Sequence, residues 1–245
     1  MTFFARLCSL LPLVAGFGIG AEPVKPAARP NILWITTEDI SPNLGCYGDP
    51  DAATPTLDRL AAGGTRYARA FSTAGVCAPS RSSLITGVYA SSLGSQHMRC
   101  ETTLPAAIRP LPALLRAAGY YCSNNVKEDY NFVTPPGAWD ESSQQAHWRK
   151  RGAGQPFFSV FNFMTTHESR IRYGADARAK LTQHLTPAQR HDPARVTLPA
   201  WLPDTPAVRE EWARYHDLIS AMDHQVAAIL KQLEGDGLAD DTILV

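Results

Sequence analysis

Four places in the chain set a reactive side chain in a pattern that could put it to use. They are Cys77 in Cys77-Ala-Pro-Ser-Arg81, the acidic pair Glu38-Asp39, Lys127 in Ser123-Asn-Asn-Val-Lys-Glu-Asp129, and His167 in Asn162-Phe-Met-Thr-Thr-His167. A cysteine offers a nucleophile. A helix suggested by Ser80 to Thr86 would turn its positive end toward Cys77, which favours an anion there. Arg81 adds a donor that is always charged, and a histidine is suited to give up a proton near neutral pH. Each also has a plain structural counterpart: a small buried thiol, an acid in a turn or cap after a strand, a solvated lysine and a buried, hydrogen-bonded histidine.

Positioning these residues requires a scaffold, and the apolar pattern supplies one. Asn31-Ile-Leu-Trp-Ile-Thr-Thr37 is a short β-branched and apolar run, as in a strand buried on both faces, and it leads straight into Glu38-Asp39. Thr54-Pro55 gives an N-cap and first-turn signal for a short helix that stops at Gly63-Gly64. Pro112 to Ala118, followed by Gly119, predicts another helix, and Tyr120-Tyr-Cys122 begins a second strand. Pro156 to Met164 is a third strand, leading to His167. From Thr205-Pro206 a long helix follows, because Val208, Trp212, Tyr215, Ile219, Met222, Val226, Ile229 and Leu233 recur at three- and four-residue steps. Alternating strands and helices predict an α/β fold with a mostly parallel sheet covered on both faces, where ligands collect at the carboxyl ends of the strands. The polar segment 134–155, with Trp139 and Trp148, reads as a long surface excursion. Asp240-Asp241-Thr-Ile-Leu-Val245 reads as the onset of a further buried strand, which leaves the domain incomplete at its C-terminus.

The 245 residues carry 23 basic and 23 acidic side chains and are 44% hydrophobic, which describes a globular chain with a real core and gives no support to a nucleic-acid-binding surface. Five cysteines are too few for a disulfide scaffold of this size. Arg6, the apolar run 7–19 and the small residues Gly20-Ala21 have the layout of a secretory signal peptide over 1–21, followed by a Pro-rich linker over 22–30. The apolar run is short for a transmembrane helix, so the expectation is an exported protein, periplasmic or extracellular, with no membrane span after cleavage.

Cys-x-Pro-Ser-Arg over Cys77–Arg81 closely resembles the sulfatase signature. Asp39 at a strand end, Thr54-Pro-Thr-Leu-Asp-Arg-Leu60 and Leu84-Ile-Thr-Gly87 extend that resemblance over nearly the whole chain after the leader. It implies an alkaline-phosphatase-like sulfatase fold, of which 31–245 would be the N-terminal part. It further implies that Cys77 is oxidised to formylglycine by modifying machinery that reads Cys77–Arg81. The aldehyde hydrates to a geminal diol; one hydroxyl attacks sulfur, and the other expels sulfate as the aldehyde re-forms. By the same resemblance Glu38, Asp39 and the residue at Cys77 hold a divalent ion, calcium or alternatively magnesium, with Glu38 standing where the family commonly has a second Asp. Lys127 contacts the sulfate, Arg81 steadies the hydrated aldehyde, and His167 protonates the leaving oxygen or contacts the sulfate. Asp129 stands near the place of a family histidine.

His97 and Arg99 follow the signature helix and are weaker candidates for facing the substrate, while His147 and Trp148 are expected at a sugar-binding rim. The family's remaining metal ligands, an Asp followed by Asn or His, would lie beyond Val245, so the chain alone is expected to be inactive. Glu38-Asp39-Ile-Ser-Pro-Asn, Gly45-Cys-Tyr-Gly48, Lys127 and Asn162-Phe-Met-Thr-Thr-His167 look most like the heparan N-sulfatase branch, which implies a sulfated glycan or aminosugar substrate. The alternatives are a phosphoester or phosphonate hydrolase of the same superfamily and a secreted glycan-binding pseudoenzyme.

Overall fold

The computed structural model describes residues 29–245, so the segment read as a signal peptide over 1–21 and most of the one read as a linker over 22–30 lie outside the described residues. Five strands form one sheet: β1 (Asn31–Thr37), β2 (Tyr121–Asn125), β3 (Glu141–Ser142), β4 (Phe157–Phe163) and β5 (Thr242–Leu244), in the order β3-β2-β4-β1-β5. Every pairing is parallel. Parallel neighbours need crossover connections, and six helices lie between the strands: α1 (Pro55–Gly63), α2 (Cys77–Thr86), α3 (Ala90–Leu93), α4 (Leu111–Ala117), α5 (Ala175–Thr182) and α6 (Pro206–Gly235). The expected α/β architecture is therefore present, and among the described residues the sheet is wholly rather than mostly parallel.

Alternate side chains of the central strands feed two cores, one on each face. Leu33, Phe157 and Phe161 pack against Ile219, Met222, Val226 and Leu230 of α6, with Leu57 and Leu60 of α1 beside them. On the other face, Phe158, Val160 and Cys122 meet Ile85 of α2 and Leu111 and Leu115 of α4. Each fully buried aliphatic side chain of this kind contributes about 1.5–3 kcal/mol relative to exposure. The periodic stripe expected from Val208 to Leu233 thus belongs to a 30-residue helix, and Thr205 caps it by accepting a hydrogen bond from the Val208 N–H at 3.3 Å.

Two expectations change. The segment 134–155 is not a surface excursion: Trp139 stacks on Phe158, and Trp148 is fully buried against Phe157 and Phe161. Trp148 tolerates that position because its indole N–H donates to Asp236 Oδ2 at 2.8 Å. Thr54 does not cap α1 with its side chain. The carboxylate of Asp223, buried on α6, does so from across the fold, accepting from Thr56 N at 3.1 Å and Leu57 N at 2.9 Å. Among the described residues, strand β5 pairs with β1.

Candidate active site

Because β2, β4 and β1 are adjacent and parallel, the segments that leave their carboxyl ends converge. Those segments carry Lys127 and Asp129, His167, and Glu38-Asp39 respectively. Helix α2 comes to the same place. It begins at Cys77, three residues before the Ser80 start that the sequence suggested, and Pro79 is tolerated because first-turn N–H groups have no helical partner. Gly87 ends the helix at φ 69°, a left-handed conformation suited to glycine, and its N–H donates to Ser83 O.

Arg81 is the strut of the site. Its Nε donates to Glu128 O at 2.8 Å, and its Nη2 donates to Lys127 O at 2.5 Å and to Asn162 Oδ1 at 2.8 Å, while Nη1 lies 3.7 Å from Glu38. It is almost fully buried, and its Nε and Nη2 tie the segment after β2 and strand β4 to α2. Asn162 is the second hub: it also accepts from Thr36 Oγ1 at 2.7 Å and donates to Asn124 Oδ1 at 2.9 Å and Asn125 O at 3.1 Å. Its place in the family-like motif marked the segment, but nothing local showed that its amide joins β1, β2, β4 and α2.

Lys127 Nζ lies 2.9 Å from Glu38 Oε2 and 3.4 Å from Asp129 Oδ2. These charges surround residue 77. Burial pushes the Cys77 thiol up from its ordinary value, Lys127 pulls it down, and Asp129 and Glu38 push it up again, leaving it raised.

Glu38, Asp39 and His167 bring one potential ligand atom each to within 4.8 Å of one another. Asp39 reaches this position in a left-handed backbone (φ 47°), and its Oδ2 accepts from Glu168 N at 2.8 Å. Thr166 Oγ1 donates to Glu38 O, which ties the two loops. His167 Nδ1 accepts from Ser169 N at 3.2 Å and faces Ser169 Oγ at 2.8 Å, so in the neutral ring the proton belongs on Nε2. The two carboxylates suit a divalent cation in part, since a hard ion such as calcium takes about six to eight oxygen ligands.

Glu38, Asp39, Cys77, Arg81, Lys127 and His167 thus lie in one region. His147 and Trp148 do not belong to it: His147 Nε2 faces Gln232 on α6 and its ring packs on Trp148 and Phe161, so the expected sugar-binding rim is part of the core. Residues that the sequence did not single out for the site, Asn124 and Thr166, brace it. Asn124 is fully buried, donates to Ser142 Oγ at 2.9 Å and holds Asn162.

The family profile described as Sulfatase matches residues 30–128 and 123–245. The chain belongs to the sulfatase family. An ulvan-active sulfatase of Formosa agariphila is 40% identical over 93% of this chain and 44% of its own length. The human N-sulphoglucosamine sulphohydrolase is 26% identical over 89% of this chain and 50% of its own. This sulfatase chain therefore spans about half the length of the curated relatives it matches. Among solved structures, a protein bound to its substrate D-glucosamine-2-N,6-O-disulfate superposes with a TM-score of 0.65 at 17% identity, covering 88% of this chain and 64% of that one. The phosphonate monoester hydrolase of Agrobacterium radiobacter gives 0.63 at 16% identity, covering 88% and 61%. Both likenesses confirm the expected fold.

Proposed function

We propose that the intact protein carrying this chain is an exported hydrolase that cleaves sulfate esters or sulfamates of sulfated glycans or aminosugars. In this reading 1–21 is its signal peptide, 22–30 a linker and 31–245 the N-terminal part of its catalytic domain. The observation that carries the reading is the environment of Cys77. The residue begins α2, and Lys127, Glu38 and Asp129, which contact one another, are the charged groups that act on it. In this reading that set of charges serves residue 77 as a modified group that meets an anion.

Formylglycine at this position supplies, as its hydrate, an oxygen nucleophile toward sulfur and an internal route for releasing sulfate. A divalent cation held by Glu38 and Asp39, with the residue at position 77, supplies positive charge at the transferring group; its remaining ligands are proposed to come from the rest of the protein. In this reading Lys127, paired with Glu38 at 2.9 Å, neutralises a sulfate oxygen, and the N-terminus of α2 adds partial positive charge. Arg81 and Asn162 act by positioning: they hold the Lys127-Glu128 backbone and the β4 exit against α2. His167 carries its proton on Nε2, the atom from which it would pass to the leaving oxygen as the S–O bond breaks.

The sulfated-glycan assignment draws support from relatives named for action on ulvan and N-sulphoglucosamine. The test is mass spectrometry of the peptide ending at Arg81, from protein made together with the modifying machinery. Replacement of the thiol-bearing CH2SH by an aldehyde CHO is expected, and intact thiol throughout would end the reading. Matched sulfate and phosphate esters separate it from a phosphoester or phosphonate hydrolase, for which faster phosphate turnover is required.

A further inference from the structure

The described residues contain four non-glycine positions in left-handed backbone: Asp39, Arg99, Asp129 and Asn131. Such conformations are costly and persist where the surroundings enforce them, often at functional sites. Asp39 belongs to the proposed metal loop. The other three form one unit at the opposite side of Lys127.

Asn131 Nδ2 donates to Ser95 O and His97 O, both at 2.9 Å, and its Oδ1 accepts from Arg99 N at 3.1 Å. The loop that carries Arg99 is therefore pinned to the segment that leaves β2. Asp129 then holds the guanidinium: Oδ1 accepts from Arg99 Nη1, while Oδ2 lies 3.4 Å from Lys127 Nζ. The carboxylate is largely buried, yet the Arg99 side chain is 67% exposed. Only Nη1 of the guanidinium makes a hydrogen bond among the described residues. The hydrogen bonds of Asn131 account for its own backbone, but an exposed ion pair by itself contributes little to stability, which leaves the left-handed backbone at Arg99 and Asp129 without a comparable structural return.

Asp129 neighbours Cys77 on one side and Arg99 on the other. Arg99 is therefore close to the reacting sulfate but separated from it by a carboxylate. A guanidinium fixed there, with planar donors facing outward, matches a second carboxylate or sulfate. We propose that Arg99 is a specificity residue that binds a second anionic group, carboxylate or sulfate, of a substrate whose scissile sulfate lies at residue 77. This rests on the sulfatase reading above and narrows it to polyanionic saccharides.

The test compares wild type with Arg99→Gln in the intact, formylglycine-bearing enzyme. The substrates are a sulfated, uronic-acid-containing oligosaccharide, the same oligosaccharide after carboxyl reduction, and a monosulfated aryl ester. Loss of charged hydrogen bonds predicts that the ratio of kcat/KM for oligosaccharide over aryl ester falls about tenfold or more, chiefly through KM. If the effect of the substitution disappears after carboxyl reduction, the bound group is the carboxylate; if it remains, it is a second sulfate. In a Cys77→Ala background, titration calorimetry with the oligosaccharide should show Kd raised about tenfold by Arg99→Gln and partly restored by Arg99→Lys. A kcat/KM ratio within about twofold of wild type, or an unchanged Kd, overturns the assignment. A wild-type enzyme that turns over no sulfate ester would instead defeat the sulfatase reading, and the calorimetry would still report on Arg99.

Discussion

Replacing Asn162 by alanine tests whether the site is held by one buried amide. The substitution removes the bonds from Thr36 and Arg81 and the two donations to Asn124 Oδ1 and Asn125 O. Asn124 is fully buried, so its orphaned carbonyl oxygen costs about 1–3 kcal/mol. Loss of the charge-assisted bond from Arg81 adds about 1.5–3 kcal/mol. Thr36 is only half buried and can turn to water, and the Asn125 carbonyl lies at the strand exit, so both add little. The expected destabilisation is about 3–5 kcal/mol, a large share of the ~5–15 kcal/mol typical of a folded domain. The measurement is urea unfolding of the intact protein followed by tryptophan fluorescence, with Thr36→Val as control; that change removes one half-buried hydroxyl and should cost about 0.5–1.5 kcal/mol. Turnover should also fall, since a misplacement of about 1 Å at a catalytic group can cost ~100-fold. If Asn162→Ala costs no more than Thr36→Val at equal m-values, the amide is not the hub described above.

Other consequences follow from the same geometry. Trp148→Ala should destabilise the fold by about 3–5 kcal/mol, because it empties a core position and orphans its bond to Asp236, whereas a saccharide-contacting tryptophan would change KM with little effect on the unfolding midpoint. Calcium should raise Tm in wild type, by the equivalent of about 2.7 kcal/mol at a hundredfold excess over Kd, and Asp39→Ala should abolish that rise; an equal rise in the variant removes Asp39 from the metal site. His191 gives a pH-dependent case: burial pushes its imidazole down, but Asp217, at 2.8 Å from Nδ1, and the Asp51 carbonyl, at 2.7 Å from Nε2, outweigh it and leave the value raised above 6.5. A raised value means the folded state binds the proton more tightly. The stabilisation is therefore full below the ordinary value and fades as pH rises through the folded one. His191→Gln should cost more at about pH 6 than at about pH 9, and a constant cost across that range would show that the ring does not titrate in this way.

Much of the scaffold was legible because local patterns report burial directly. A continuous apolar run such as Phe157–Phe163 suits a strand covered on both faces, and the three- and four-residue recurrence from Val208 to Leu233 suits a helix packed along one side. Trp148 was misread because its neighbours are polar: His147, Arg149 and Lys150 hide one core side chain within an exposed-looking stretch. The cap on α1 was misplaced for a related reason. Thr54-Pro55 is a sound local signal, but a carboxylate 167 residues away from Thr56 took the exposed amides.

The sequence by itself determined which residues could do chemistry, through the Cys77–Arg81 signature, and that Glu38-Asp39 and His167 follow strands. Local residue type and apolar period are enough for that, because strand ends and helix starts are marked within a few positions. Only the tertiary structure decided how those groups are used. The strand order β3-β2-β4-β1-β5 brings chain segments more than 80 residues apart into contact. That order turns Arg81 into a buried strut, makes Asn162 a junction, and sets Asp129 between Lys127 and Arg99. Distances of this kind depend on which strands are neighbours, and strand adjacency is settled by packing of the whole sheet rather than by any one segment.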